Sequence, residues 1–221
     1  MILSTQFTSE RGLELIKVFI DYNESYEQIR EAVKRLCADF PGEYWRRKDS
    51  ESGYPTEFVQ ALVDTGYLSV LIPEKYGGSG LDLKAACIIL ETIHKSGGNG
   101  AACHAQMYTM GMILRHGTKE QKQLWLPHIA DGTLRLQAFG VTEPASGTDT
   151  SRITTSAVRD GDDYIVNGQK IWTSRVGHSD LMILLARTSP REDSSKPTQG
   201  LSVFMVDLRE EVGKSITITP I

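Results

Sequence analysis

The sequence predicts an α+β protein, in which an all-helical N-terminal domain is followed by an antiparallel β-barrel or β-sandwich domain. Two observations carry this prediction. Apolar residues recur at helical spacing through roughly the first 130 residues, and β-prone runs separated by turn signals replace them after Ala-Asp-Gly at 130–132. A chain of 221 residues has room for two domains, and its 40% hydrophobic and 24% charged residues are typical of a soluble globular protein.

Five helices are expected in the first domain. The first covers 25–40, where apolar side chains recur at helical spacing before Pro41-Gly42 stops the helix. The second begins near Pro55 and ends at 65–66, and the third runs from Asp82 to just before SGGNG. The fourth covers roughly 101–115, and the fifth begins at Thr118 and runs towards Pro127. Ser25 with Gln28 and Thr118 with Gln121 have the spacing of capping boxes. The inward side chains predicted for the third helix are Leu83, Ala86, Cys87, Leu90 and Ile93.

The strands of the second domain are expected in RLQAFGV, in SAVRDGDDYIVNGQKIW, and at 181–186, 201–206 and 215–221. The Asn-Gly at 167–168 predicts a hairpin, so that Trp172 and Ser174 share one face of the returning strand. We divide the chain into an extension at 1–24, a helical domain at 25–134 and a β domain at 135–221. Because the last predicted strand stops at Ile221 without a turn or cap, we expect the β domain to be truncated.

Several functional classes are disfavoured by composition. A net charge of −4 without a block of like charges gives no reason to expect nucleic acid as a partner, and no apolar run is long enough to span a bilayer. Cys37, Cys87 and Cys103 are widely spaced, which argues against a disulfide framework or zinc site and suits a reducing compartment. His104 and His116 have no partner at metal-ligand spacing, so we expect no metal.

The segment VTEPASGTD is the first candidate for chemistry. A strand that runs into a Pro-Gly turn frees backbone N–H groups, and Thr142, Ser146 and Thr148 add short hydroxyl side chains. Such a concavity suits a polar heteroaromatic ring or a phosphate. A well-satisfied structural turn is the other interpretation, and spacing alone favours it. Glu143 could act as a base, although a single carboxylate at a bend more often makes a local hydrogen bond or salt bridge.

Two further segments could line a ligand site. In NGQKIWTSR an indole beside a hydroxyl could flank a flat ligand, although a strand tryptophan is more often core. In 98–117 His104, Met107, Tyr108 and Met112 lie close together on one helix. Methionine lines adaptable apolar pockets, yet a stripe of methionine and aromatic residues is more often core.

Taken together, FGVTEPASGTD, DDYIVNGQKIWTS and LLART resemble the middle domain of the acyl-CoA dehydrogenases, while LIPEKYGGSGLDL and HGTKEQKQLWLPHIADG resemble their helical N-terminal domain. The resemblance covers roughly residues 25 to 221. It implies an FAD-dependent enzyme of fatty acid β-oxidation that converts an acyl-CoA thioester to the trans-2-enoyl-CoA.

The resemblance also assigns residues to the site. The cofactor-binding positions that it implies are Phe139, Gly140, Val141, Thr142, Glu143, Pro144, Gly147, Thr148, Trp172, Thr173 and Ser174. The implied substrate-binding positions are Thr148, His104, Met107 and Tyr108. Thr142 matches a hydroxyl donor to the flavin ring, and Ser174 matches a position whose hydroxyl bonds flavin N5. The tetrapeptide WTSR departs from the commoner WITN at three positions, which affects ring packing and electron-acceptor contacts.

No catalytic residue is assigned within the chain. In the family the base is a glutamate of a C-terminal helical domain, so we expect that domain to be absent here and the 221-residue chain to be inactive alone. The implied partners are electron-transfer flavoprotein or a similar acceptor and further copies of the chain in a homo-oligomer. The compartment is bacterial cytoplasm or mitochondrial matrix. Three alternatives stay open: an acyl-CoA oxidase, a flavin monooxygenase of the same fold, and a non-catalytic acyl-CoA-binding protein.

Overall fold

A computed structural model describes residues 24–192 and 195–221, so the predicted extension lies outside the described residues except for Glu24. Over these ranges the chain forms six α-helices followed by one five-stranded sheet. The helices are α1 (Glu24–Ala38), α2 (Gly42–Ser50), α3 (Thr56–Asp64), α4 (Leu83–Lys95), α5 (Ala101–His116) and α6 (Lys119–Ala130). The strands are β1 (Leu136–Gly140), β2 (Ser156–Asp160), β3 (Asp163–Asn167), β4 (Leu181–Arg187) and β5 (Leu201–Asp207). The predicted fold class, a helical region followed by a sheet domain, is confirmed.

The sequence prediction missed α2. Its sequence GEYWRRKDS is mostly polar and has no apolar stripe, so helical periodicity does not reveal it. Its two aromatic side chains pack instead: Trp45 lies edge-on to Phe58, with ring centroids 4.9 Å apart, and Tyr44 lies edge-on to Phe40. Tertiary aromatic contacts therefore stabilise a helix that local sequence does not specify.

One helix begins at its predicted capping box, and another begins next to the residue predicted as its start. The Thr118 hydroxyl accepts a hydrogen bond from Gln121 N, and the Gln121 side chain accepts one from Thr118 N, which completes the predicted capping box of α6. Asp82 caps α4 by accepting from Ala85 N at 2.9 Å. The prediction that Ser25 caps the first helix is wrong, because α1 already includes Glu24.

Two other helix predictions are wrong. Helix α6 does not stop near Pro127 but continues to Ala130. In α4 the predicted inward face is right for Ala86 and Ile93, which are buried, and wrong for Leu83 and Cys87. Leu83 is 69% exposed and Cys87 is exposed, whereas Ala85 and Ile89 are fully buried. The physical reason is that the helical core lies on the Ala85–Ile89–Ile93 side of this helix.

The sheet is mixed rather than wholly antiparallel. Strand β4 lies between β1 and β5; it runs parallel to β1 and antiparallel to β5. Strands β2 and β3 form an antiparallel hairpin within the predicted strand segment SAVRDGDDYIVNGQKIW, and β2 joins β4 through the single parallel pair Ser156–Arg187. Residues 215–221 do not form the predicted strand, because in the described part of the chain no neighbouring strand pairs with them apart from an isolated Val212–Ile216 bridge.

The helical region and the sheet share one apolar core. Leu136 of β1 and Leu181 of β4 are fully buried in the same cluster as the side chains of α3 to α6. Helix α5 packs along β1, and the Thr109 hydroxyl donates to the carbonyl of Leu136 at 2.6 Å. This contact fixes the position of β1, and of the turn that follows it, against α5. No helix in the described residues is both long and apolar enough to cross a membrane.

Candidate functional site

The segment that follows β1 forms a closed turn. Glu143 N donates to Ser146 O at 2.9 Å, and Ser146 N donates back to Glu143 O at 3.1 Å. The Ser146 hydroxyl then donates to the carbonyl of Asp149 at 2.7 Å. The predicted turn is therefore confirmed, and its inner backbone groups are satisfied by bonds within the turn itself.

The carboxylate of Glu143 lies inside this turn and is only 3% exposed. It accepts hydrogen bonds from Thr154 N at 2.6 Å, from Thr155 N at 2.9 Å and from Lys170 Nζ at 2.8 Å. Burial alone would raise the pKa of Glu143, but the hydrogen bonds from Lys170 and Thr154 outweigh it and lower the pKa to about 2. Glu143 is thus a buried anion with a structural role. Of the two interpretations of the sequence, the local salt bridge fits this geometry and the general base does not.

Lys170 was not identified from the sequence. Its ammonium group bonds the carbonyl of Val141 at 3.0 Å as well as Glu143, and its side chain is 9% exposed. The next residue, Ile171, donates its backbone N–H to Thr142 O at 2.8 Å. Gly140 lets the lysine stem lie against β1, since a Cβ there would be 3.4 Å from Lys170 Cγ. The segment 168–174 therefore lies beside the turn.

The predicted hairpin at Asn167-Gly168 is wrong. After β3 the chain passes close to the start of β2: a Cβ on Gly168 would lie 2.4 Å from the Thr155 hydroxyl oxygen. The chain then pairs with the turn through Ile171 instead of returning along β3. Trp172 has a φ of +59° and is 66% exposed, so it is neither in a strand nor in the core.

Four hydroxyl groups of the two segments have no hydrogen-bond partner in the part of the chain that the structure describes. Thr142 and Thr173 are half-buried, while Thr148 and Ser174 are exposed. Among the described residues, none of these four side chains has an internal hydrogen-bond partner, in contrast to Ser146, Ser151 and Thr154 of the same region. A Cβ on Gly147 would meet nothing within 4 Å. Unpaired hydroxyls beside open backbone can donate to a ligand.

The predicted substrate residues divide into two groups. His104 and Tyr108 lie on the exposed side of α5, with ring centroids 5.1 Å apart, and Tyr108 lies 6.2 Å from Phe139 at the end of β1. An aromatic row therefore connects α5 to the strand that leads into the turn. Met107 does not join it: Met107 is 5% exposed and packs in the helical core, with Cys103 Sγ 3.9 Å from its sulfur. The core interpretation of Met107 is the one that the structure supports.

A polar cavity of about 440 Å³ lies elsewhere, near the beginning of β1. It is lined by Gly132, Thr133, Arg135, Gly177, His178, Ser179 and Asp180. None of these is a predicted site residue, and the cavity does not adjoin the turn. In the described residues no three His, Cys, Asp or Glu side chains are placed to share a metal ion.

A helical region followed by a sheet domain is the architecture of the acyl-CoA dehydrogenase fold, which the matched solved structures share. The chain belongs to the acyl-CoA dehydrogenase family. The model of the acyl-CoA dehydrogenase N-terminal domain matches residues 23–133, and that of the middle domain matches residues 138–221.

Relatives and solved structures agree with this assignment. The chain is 38% identical over 205 residues to acyl-CoA dehydrogenase FadE26 of Mycobacterium tuberculosis, covering 87% of this chain and 49% of that protein. The structure of an acyl-CoA dehydrogenase from Geobacillus kaustophilus superposes with a TM-score of 0.77 at 30% identity, covering 86% and 49% of the two chains. A chain of the ChsE4–ChsE5 complex from M. tuberculosis gives a TM-score of 0.69 at 34% identity, covering 86% and 48%. The chain spans about half the length of the curated relatives it matches.

Members of this family are flavoproteins that typically bind FAD. The site residues fit such a group by their chemistry. A flavin presents acceptors at ring nitrogens N1 and N5, at its carbonyl oxygens and at its phosphates, and the turn and the segment 172–174 offer hydroxyl donors that have no partner among the described residues. The aromatic row and the exposed indole of Trp172 provide flat apolar surfaces of the kind that pack against a ring.

Proposed function

We propose that the protein to which this chain belongs is an FAD-dependent acyl-CoA dehydrogenase that oxidises an acyl-CoA thioester to the trans-2-enoyl-CoA. The observation that supports it is the pairing of two hydroxyl-bearing segments, the turn after β1 and the segment 172–174, through the Ile171 N–H and Thr142 O bond. When bound, FAD supplies the chemistry of accepting a hydride from the β-carbon of the acyl group.

In this proposal the residues of the chain hold and orient the flavin. One side of the flavin site is formed by residues 139–144, Gly147 and Thr148. The other side is formed by Trp172, Thr173 and Ser174. The hydroxyl groups of Thr142 and Ser174 donate hydrogen bonds to the ring. Such donors favour the reduced, anionic ring, and they are strongest where water is excluded. Glu143 acts indirectly, by holding the turn in shape.

The substrate lies against the exposed side of α5. His104 and Tyr108 form a wall for the acyl group, and Thr148 lies where the cofactor and the substrate are both near. Met107 takes no part in this wall because it is buried in the core. The buried carboxylate of the turn, Glu143, already accepts four hydrogen bonds and is therefore not assigned as the catalytic base. We place the base in the part of the relatives' length that this chain does not cover.

The organisation of the protein is part of the proposal. We assign residues 25–134 to a helical domain and 135–221 to a β domain, preceded by an extension at 1–24. The protein passes electrons to electron-transfer flavoprotein or a similar acceptor. It assembles with further copies of itself or with a related subunit, which the likeness to a chain of the ChsE4–ChsE5 complex supports. Its bacterial relatives support a place in the bacterial cytoplasm.

Anaerobic mixing of the full-length protein with acyl-CoA thioesters tests this function. We expect a yellow protein whose flavin absorbance bleaches on mixing and returns when an electron acceptor is added. A colourless protein, or a flavin that acyl-CoA does not bleach, would contradict the proposal and favour a non-catalytic acyl-CoA-binding protein. Mixing the reduced protein with air separates the remaining alternatives, because rapid flavin reoxidation with release of peroxide would identify an oxidase, and rapid reoxidation with an oxygenated product would identify a monooxygenase.

A further inference from the structure

We infer that Lys170 is a positioning residue for the flavin, because its ion pair with Glu143 sets the distance between the Thr142 hydroxyl and the segment Trp172–Ser174. This inference rests on the proposed FAD site. The two hydrogen bonds of the Lys170 ammonium group, to Val141 O and Glu143 Oε1, are directed to the turn and not to a ligand. Its effect on the cofactor is through Thr142 and the segment that follows it.

The first step is the geometry of the ammonium group. Lys170 Nζ bonds the carbonyl of Val141 at 3.0 Å and the carboxylate of Glu143 at 2.8 Å. Thr142 is the residue between these two contacts. An ammonium group that is bonded on both sides of one residue restricts the backbone of that residue, and therefore the direction of its side chain.

The second step is the connection to the other segment. Ile171 follows Lys170 directly, and its N–H donates to Thr142 O at 2.8 Å. Three hydrogen bonds thus join residues 141–143 to residues 170–171. Trp172 comes next in the chain, so the position of Trp172 to Ser174 is set by the same contacts that fix Thr142.

The third step is the attachment of the pair to the sheet. The carboxylate of Glu143 also accepts from the backbone N–H groups of Thr154 and Thr155, just before β2. Both charged side chains are almost fully buried, with 9% and 3% of their surfaces exposed. A buried charge that has lost its partner is strongly unfavourable, so this pair forms together or the local structure changes.

The fourth step is the strain in the segment. Trp172 and Arg175 have φ angles of +59° and +60°, in the left-handed region that is unfavourable for residues with a Cβ. Such a conformation persists only where surrounding contacts determine it. The contacts of Lys170 and Ile171 with the turn directly precede Trp172, whereas the carbonyl of Arg175 accepts from His178 N and from the Ser179 hydroxyl, so we expect Trp172 to relax when the Lys170 contacts are removed.

A double-mutant cycle on the full-length protein tests the inference. FAD binding and the flavin midpoint potential are measured for wild type, Thr142→Val, Lys170→Met and the double variant. We expect Thr142→Val to weaken FAD binding about 10-fold in the wild-type background and less than about 3-fold in the Lys170→Met background, with the shift in potential reduced in parallel. Equal effects in both backgrounds would overturn the inference, because independent contributions add.

Two control variants accompany the cycle. Lys48→Met removes another lysine with an acidic partner, Lys48 Nζ lying 3.0 Å from Glu57, and it should leave the effect of Thr142→Val unchanged. Lys170→Arg keeps the charge and should restore part of the coupling. If Lys170→Met does not fold, both charges are removed together in Glu143→Gln/Lys170→Met. Thr142→Val is then compared in this background and in wild type, and we again expect its effect on FAD binding to be smaller in the variant background.

Hydrogen exchange of the cofactor-free protein separates this inference from the proposed function. Lys170→Met should speed exchange of the Ile171 amide about 10-fold or more, while Lys48→Met should leave it unchanged. An Ile171 amide that exchanges equally slowly in Lys170→Met overturns the inference whether or not FAD binds. A wild-type protein that binds no FAD, together with faster Ile171 exchange in Lys170→Met than in wild type, contradicts the proposed function and leaves the pairing of the two segments supported.

Discussion

The two segments of the candidate site differ in how their conformations are determined. The turn after β1 is closed by reciprocal bonds between Glu143 and Ser146, and its carboxylate is buried. The segment from Ile171 to Arg175 has no repeating backbone pairing, carries two residues with positive φ, and exposes Trp172. The turn is therefore held by its own reciprocal bonds together with the contacts of Glu143 to Thr154 and Lys170, whereas the start of the segment is positioned against the turn through Lys170 and Ile171.

This difference has a functional consequence for the proposed flavin site. A site whose two sides are both regular would tolerate the loss of one contact. Here the start of one side, at Trp172, is placed against the other through Lys170 and Ile171, so a change at the Glu143–Lys170 pair should affect flavin binding without contacting the flavin.

The largest expected effect comes from Lys170→Met. It leaves the Glu143 carboxylate buried without its cation, so we expect the free energy of unfolding to fall by about 3–5 kcal/mol. Urea unfolding followed by circular dichroism measures the loss. Lys48→Met, at a more exposed ion pair with Glu57, should cost about 1 kcal/mol or less. Similar losses in the two variants would mean that the turn does not depend on Lys170.

The pH dependence of stability should be the next largest effect. The folded-state pKa of Glu143 is lowered from the ordinary 4.5 to about 2, so its stabilising contribution is present above about pH 4.5 and is lost as the pH falls towards 2. The contribution is about 3 kcal/mol. Urea unfolding between pH 6 and 3 should show a steep loss in wild type and a shallower one in Glu143→Gln. Parallel curves would show that Glu143 does not carry the acid sensitivity.

A smaller effect is expected for Gly168→Ala. The added Cβ would lie 2.4 Å from the hydroxyl oxygen of Thr155 and 2.6 Å from its Cα, so the chain has to move away from β2. We expect a loss of about 1–3 kcal/mol in the free energy of unfolding. Gly177→Ala is the matched control, because a Cβ there meets nothing within 4 Å. A neutral Gly168→Ala would show that residues 168–171 are not held close to β2.

Local sequence patterns predicted the structure correctly where hydrogen bonds between residues close in sequence determine it. The capping box at Thr118 and Gln121 marked the start of α6, and turn residues marked the bend at Glu143. Five of the helices followed from apolar periodicity. Helix α2 did not, because its stabilising contacts are tertiary aromatic ones, such as Trp45 with Phe58.

The site itself could be predicted only in part. The resemblance to a family pointed to Thr142 and to Trp172–Ser174, but the Asn-Gly signal gave the wrong backbone for the latter. That signal reports a local preference, whereas Lys170 pairs with Glu143 across 27 residues of sequence. No spacing rule joins two residues so far apart. A buried lysine shortly after a glycine turn is the feature that could have suggested a charge partner in the preceding turn.

FAD binding by full-length protein stripped of cofactor tests the central claim most directly. The claim is that the hydroxyls of Thr142 and Ser174, which have no internal partner among the described residues, hold the flavin. Calorimetric titration with FAD compares wild type with Thr142→Val/Ser174→Ala. The account predicts tight binding by wild type and binding about 10-fold to 100-fold weaker in the double variant, the loss expected for two hydrogen bonds of about 1 kcal/mol or more each. Equal affinities in the two proteins would contradict it.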